Sequence, residues 1–142
     1  MSPKTERDWR LFADDIIEAC AKISRFVGGM IYDAFASDEL TRDAVMRNLE
    51  IIGEAARKLP DEVTAKAPQI PWRLIRDMRN VLAHAYFGVS LKVVWDTATN
   101  QIDELEKAVH TLLEQPSDSP RPILARVILH QTGLLYADAR FR

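Results

Sequence analysis

Residues 38–60 read DELTRDAVMRNLEIIGEAARKLP. Val45, Leu49, Ile52, Ala56 and Leu59 recur there at spacings of 4, 3, 4 and 3. That rhythm draws one continuous apolar stripe along an α-helix. Ser37 or Asp38 is a good N-cap for it, because a short side-chain oxygen accepts from an unpaired N–H of the first turn. Pro60 ends it, since proline lacks an N–H and its ring clashes with the preceding turn. A helix with one apolar stripe has to bury that stripe against other elements, so this segment sets an all-α frame.

The same rhythm extends outward on both sides. Upstream, Trp9, Phe12, Ile16, Ile23 and Val27 predict a helix over about residues 5–28, with Gly28-Gly29 as its stop. Downstream, Pro71 suits the start of a third helix from Trp72 to about Phe87, and Gly88 is its natural end. Ser90 can cap a fourth, with Leu91, Val94, Trp95, Ala98, Ile102, Leu105, Val109 and Leu112 on one face. Four amphipathic helices with short links predict an antiparallel four-helix bundle. No alternation of period two is long enough for a sheet, no Gly-rich phosphate loop is present, and no repeat is visible. Three prolines, at 116, 120 and 122, then break any helix. The expected organisation is a helical domain over 1–115 and a Pro-rich linker with an apolar, basic C-terminal extension over 116–142.

The 142 residues suit one domain, and 47% hydrophobic against 28% charged is ordinary for a globular chain. A net charge of −2 excludes a generally cationic nucleic-acid coat but leaves room for a local basic patch. No apolar run approaches the ~20 residues of a membrane span, and Met1–Arg10 has no apolar signal core. One cysteine, Cys20, can form neither an internal disulfide nor a Cys-based zinc site and reads as a small buried side chain. The expected setting is a reducing cytoplasm, with no membrane.

The chemistry concentrates in Arg73-Leu74-Ile75-Arg76-Asp77-Met78-Arg79-Asn80-Val81-Leu82-Ala83-His84-Ala85-Tyr86. Three arginines meet one aspartate here, so the segment is basic although the chain is not. Arg76, Asn80 and His84 form a polar line at i, i+4 and i+8. Arg79 and His84 fall ~140° apart on a helical wheel, and Arg79 and Tyr86 ~20° apart. One straight helix cannot aim Arg79 and His84 at one small target, so either the helix loosens near Gly88 or a second copy completes the site. An imidazole takes and gives protons near neutrality, and a guanidinium grips phosphate oxygens as a fork. Asn can hold the imidazole or a substrate oxygen, and Tyr adds a hydroxyl and a ring. This set suits RNA phosphodiester cleavage without metal, with the 2′-OH as internal nucleophile. On chemistry alone the bland reading is commoner: a structural histidine and solvated arginines.

The order of blocks is more specific. Arg79–Tyr86 resembles the R-x4-6-H-x-Y signature of HEPN domains in its four-spacer form. Residues 48–56 (NLEIIGEAA), Ile70-Pro71-Trp72-Arg73, Met78-Arg79-Asn80, Tyr86-Phe87-Gly88-Val89 and Val94-Trp95 resemble successive blocks of the HepT toxin family. The similarity covers about residues 7–115. It implies a HEPN-like bundle that dimerises through its helices and cleaves RNA, tRNA or mRNA being the candidate targets, with Arg79 and His84 catalytic and no metal or cofactor. Asn80 would support them. The resemblance also implies a partner, a nucleotidyltransferase antitoxin of the MntA type that uses ATP to AMPylate Tyr86. A bulky anion there would occupy the phosphate site and repel RNA. One departure is Asp77, where relatives often carry a small residue; it can pair with Arg73 or Arg76. The rival reading is a non-catalytic HEPN module that docks and regulates such a nucleotidyltransferase.

Arg73 and Arg76 are candidates to line an RNA groove. Arg42 and Arg47 read as solvated, Trp72 and Trp95 as core, and His110 and His130 as surface residues. Glu50 and Glu54, four apart with no histidine at i+3, read as surface or ion-paired carboxylates and not as a metal site.

Overall fold

The computed structural model describes residues 3–84 and 90–115. It consists of α1 (Pro3–Val27), α2 (Tyr32–Ser37), α3 (Glu39–Arg57), α4 (Asp61–Thr64), α5 (Trp72–His84), α6 (Leu91–Asp96), a π-helical turn (Thr97–Gln101) and α7 (Ile102–Glu114). Among the described residues there is no strand. α6, the π turn and α7 run on as one rod, so four long units make the expected all-α bundle.

The stop and start signals act where the sequence puts them. α1 closes at Gly29, whose φ of +79° lies in the left-handed region that glycine enters without a Cβ penalty. Asp38 caps α3 by accepting from the Thr41 N–H at 3.0 Å. Ser90 caps α6 by accepting from the Val93 N–H at 3.4 Å. Pro60 lies beyond the last residue of α3 and leads into α4.

The predicted stripes become the core. Ile16 and Ile23 of α1, Val45 and Ile52 of α3 and Val109 of α7 are all fully buried. A buried side chain of this kind contributes roughly 1.5–3 kcal/mol. The exposed pairs Lys22–Glu18, Arg47–Glu50 and Lys92–Asp96 are each of a kind worth about 0–1 kcal/mol. The stripes therefore hold the bundle. Cys20 is fully buried among them, and burial, with the carboxylates of Glu106 and Asp103, pushes its thiol up.

α3 packs on one side against α1 and on the other against α5, while α1 packs against α7. α2, which the sequence did not suggest, is a short brace between α3 and α6. Its Phe35 is buried and lies 5.2 Å from the Trp95 ring. The π turn was likewise unexpected. It begins where the Thr97 hydroxyl donates to the carbonyl of Val93 and the Thr99 hydroxyl to that of Trp95, each four residues back. At the far end of the bundle, Arg10 stacks on Trp9 and donates to the carbonyls of Leu113 and Gln115, which closes the C-terminus of α7 onto α1.

Three secondary expectations need adjustment. His110 is half-buried against Glu106 and is not a surface residue. The Arg42 guanidinium donates to the Ala36 carbonyl and is not simply solvated. Trp95 is only partly buried, at the edge of the core, whereas Trp72 is buried and donates its ring N–H to Ala67. His130, Tyr86 and the expected linker and tail over 116–142 lie outside the described residues.

Candidate active site

α5 carries the residues on which the functional reading rests, and α3 decides how they are held. Gly53 stands at the crossing of the two helices. A Cβ there would meet the Ile75 carbonyl oxygen at 2.9 Å, the Arg79 nitrogen at 3.0 Å and the Arg79 Cβ at 3.1 Å. Only a residue without a side chain permits so close an approach. The contact places the backbone of Arg79 directly against α3.

The side chain of Arg79 is held by its neighbours. Its Nε lies 3.3 Å from Glu54 Oε2, and its Nη1 donates to Asn80 Oδ1 at 3.2 Å. Its Nη2 has no partner among the described residues, and the side chain is 44% exposed. The guanidinium therefore keeps donors turned to solvent.

Arg76, one turn earlier, is placed differently. Its Nε donates to the Ala56 carbonyl at 3.2 Å and its Nη2 to the Leu59 carbonyl at 3.2 Å. Further contacts reach Thr64 Oγ1 at 3.5 Å and Asp61 Oδ1 at 3.4 Å. A cation at the C-terminus of α3 meets the Ala56 carbonyl, which also accepts from the Leu59 N–H, and the Leu59 carbonyl just beyond the helix, where positive charge is favoured. Of the two arginines assigned to an RNA groove, Arg76 thus points into the α3–α4 corner, and Arg73 is exposed to solvent. Arg76 and Asn80 also line a polar pocket of about 270 Å³, with Arg57, Leu59, Asp61 and Asp77 as its other walls.

His84 is the last residue of α5. Its imidazole and the whole of Tyr86 lie outside the described residues. Glu50 and Glu54 both form ion pairs, with Arg47 and Arg79. Among the described residues no cluster of three or more His, Cys, Asp or Glu side chains is placed to hold a metal ion. Sequence reasoning missed Glu54 as the partner of Arg79. The signal available was its position directly after Gly53, since a glycine inside an apolar helical stripe marks a close helix crossing.

The other flank of α5 is apolar and open. Leu74, Met78 and Val81 of α5 face Val93 and Val94 of α6 and Thr97 and Gln101 of the π turn across a groove of about 420 Å³. Leu49 and Ile52 of α3 lie in the same wall, and Leu74, Val81 and Val93 stay 68%, 49% and 59% exposed. No described helix is long and apolar enough to cross a membrane.

A braced helical bundle with a basic, amide-bearing helix laid on a glycine notch is an all-α HEPN-like domain. The sequence model of the family described as Ribonuclease HepT-like matches residues 16–112. The chain belongs to that HepT-like ribonuclease family. It is 40% identical over 101 residues to a Thermococcus cleftensis protein named "Probable ribonuclease HepT", covering 71% of this chain and 92% of that one. It is 36% identical over 109 residues to a Methanocaldococcus jannaschii protein provisionally named an RNase, covering 77% and 90% of the two chains. A relative from Caldanaerobacter subterraneus, also provisionally named an RNase, is 38% identical over 106 residues, covering 75% of this chain and 95% of its own. No solved structure matches the chain.

Proposed function

We propose that the chain is the ribonuclease toxin of a toxin–antitoxin pair, cutting RNA without metal through Arg79 and His84. The observation that carries the reading is the setting of Arg79. It lies on the helix that ends in His84, bonded to Asn80 and paired with Glu54, with an outward amine, in a chain of a ribonuclease family. That amine suits the non-bridging oxygens of a phosphodiester, and the cation offsets the charge that builds on phosphorus. An imidazole accepts the 2′-OH proton as the 2′ oxygen bonds to phosphorus. The bond to the 5′ oxygen breaks, and a second proton donor protonates that oxygen. The products are a 2′,3′-cyclic phosphate and a 5′-OH end.

A homodimer supplies the second donor. On the wheel, Val81 is ~60° from His84, whereas Arg79 is ~140° away from it. The exposed strip of Leu74 and Val81 therefore borders the His84 column. A second copy seated on that strip brings two His84 columns toward a shared cleft. Inhibition follows from transfer of AMP from ATP to the Tyr86 oxygen by a nucleotidyltransferase antitoxin, with pyrophosphate as the leaving group.

The test is cleavage of an RNA oligonucleotide by purified protein with chelator present. Wild type should cut, leaving a cyclic phosphate, and a 2′-deoxy substitution at the scissile position should block it. His84→Ala and Arg79→Ala should each lose at least roughly 100-fold in kcat. Equal cleavage by all three proteins removes the proposed site. Mass spectrometry after incubation with the nucleotidyltransferase and ATP checks the modification of Tyr86.

A further inference from the structure

We infer that Glu54 is the positioning residue for the Arg79 guanidinium, with Gly53 as the notch that brings the arginine within its reach; the inference rests on the ribonuclease reading. Two independent observations converge on this dipeptide of α3. The first is steric: no Cβ fits at Gly53 without displacing the Ile75 carbonyl or the Arg79 backbone. The second is polar: Glu54 Oε2 stands 3.3 Å from Arg79 Nε while Asn80 Oδ1 accepts from Nη1.

A guanidinium is planar. Bonded to Asn80 at Nη1 and ion-paired with Glu54 at Nε, its plane is restrained on two sides, and that restrains the direction of the third nitrogen. Nη2 and the remaining Nη1 hydrogen then form the edge offered to a phosphate. Without Glu54 only the bond to Asn80 remains, and the plane can turn about it. Both side chains of the ion pair are about half exposed, at 44% and 49%, so the pair adds little to stability. Its consequence is the orientation of a donor that the phosphate needs, and small misplacements of such a group are costly to rate.

A carboxylate beside a phosphate-binding arginine has an opposite possible effect, because it competes with RNA for the cation. The two effects separate by substitution. Glu54→Gln removes the charge but keeps a polar side chain of the same length beside Nε, whereas Glu54→Ala removes both.

The experiment measures kcat and KM for RNA cleavage by wild type, Glu54→Ala, Glu54→Gln, Arg79→Ala and the Glu54→Ala/Arg79→Ala double variant. Positioning predicts a loss of roughly tenfold in kcat for Glu54→Ala, with KM within about threefold. Glu54→Gln should restore most of it, and Glu54→Ala should have no further effect once Arg79 is gone. Unchanged or faster cleavage by Glu54→Ala overturns the inference, as does an equal loss in the Arg79→Ala background. The ¹⁵N–¹H resonance of Arg79 Nε reads the placement without any cleavage. It should move in Glu54→Ala and return toward wild type in Glu54→Gln, and no movement overturns the positioning. A wild type that leaves RNA uncut while this resonance behaves as expected sinks the ribonuclease reading alone.

Discussion

The two flanks of α5 meet the rest of the bundle in opposite ways. Toward α3 the contact is closed: Gly53 admits the backbone, Arg76 ties it to the carbonyls of Ala56 and Leu59, and Trp72 is buried at its start. Toward α6 and the π turn it is open, with an apolar groove of about 420 Å³ and three exposed aliphatic side chains. The closed flank makes α5 a rigid support, and rigidity is what an orienting site requires. The open flank leaves apolar area that a lone chain gains nothing by exposing, and such patches mark interaction surfaces. One helix thus presents a fixed arginine on one side and an unfinished seam on the other.

Breaking the closed flank should give the largest effect. Arg76→Ala leaves two carbonyls at the end of α3 without their charged donor and should cost about 1.5–3 kcal/mol in urea unfolding. Lysine, a point charge without the fork, should recover only part of this. A stability equal to wild type would mean that Arg76 is not what ties α5 down. Gly53→Ala pits two effects against each other. Alanine favours a helix by about 0.8–1 kcal/mol, while overpacking the crossing costs about 1–3 kcal/mol. The clash is with backbone, which yields little, so net destabilisation is expected together with reduced RNA cleavage. A more stable Gly53→Ala protein would show that the crossing is looser than the geometry here.

The open flank should respond in the reverse manner. Leu74→Asp and Val81→Asp change exposed side chains and should shift monomer stability by no more than about 0.5 kcal/mol. Sedimentation should nevertheless show the dimer lost, and cleavage lost with it. A dimer that survives both substitutions would place its seam elsewhere and remove the reason for reading the groove as unfinished.

The sequence made the helices and their ends far more legible than either flank. The long helices, the caps at Asp38 and Ser90 and the stop at Gly29 are local signals, carried by spacing and by residues that satisfy their own backbone. α2 and α4 are too short to show a period, and the π turn depends on threonine hydroxyls that a helical pattern hides. Partners across helices were not legible at all. Nothing near Arg76 in the chain announces the carbonyls of Ala56 and Leu59, and Glu54 is 25 residues from Arg79 along the chain. The spacing of Arg79 and His84 puts them ~140° apart on a wheel; Arg79 turns toward α3, and the His84 side chain lies outside the described residues.

The smallest effect concerns α3, which floors both flanks. Its first turn is capped by Asp38, at the opposite end from the crossing at Gly53. The Thr41 backbone N–H, followed by the Thr41 side chain, holds the Asp38 carboxyl below its ordinary value of 3.8. A carboxylate lowered on folding contributes stability that is fully present above its unfolded value and is lost as pH falls through the folded one. Asp38→Asn keeps an oxygen that can cap but does not titrate. The difference in urea midpoint between wild type and Asp38→Asn should therefore be constant from neutrality down to about pH 5 and shrink below the ordinary carboxylate range. Amide protection factors should fall there in the first turn of α3 while the turn beside Arg79 keeps its protection. If the turn at Gly53 opened together with the cap, the closed flank would be no more rigid than the end of the helix that carries it, and the contrast between the flanks would fail.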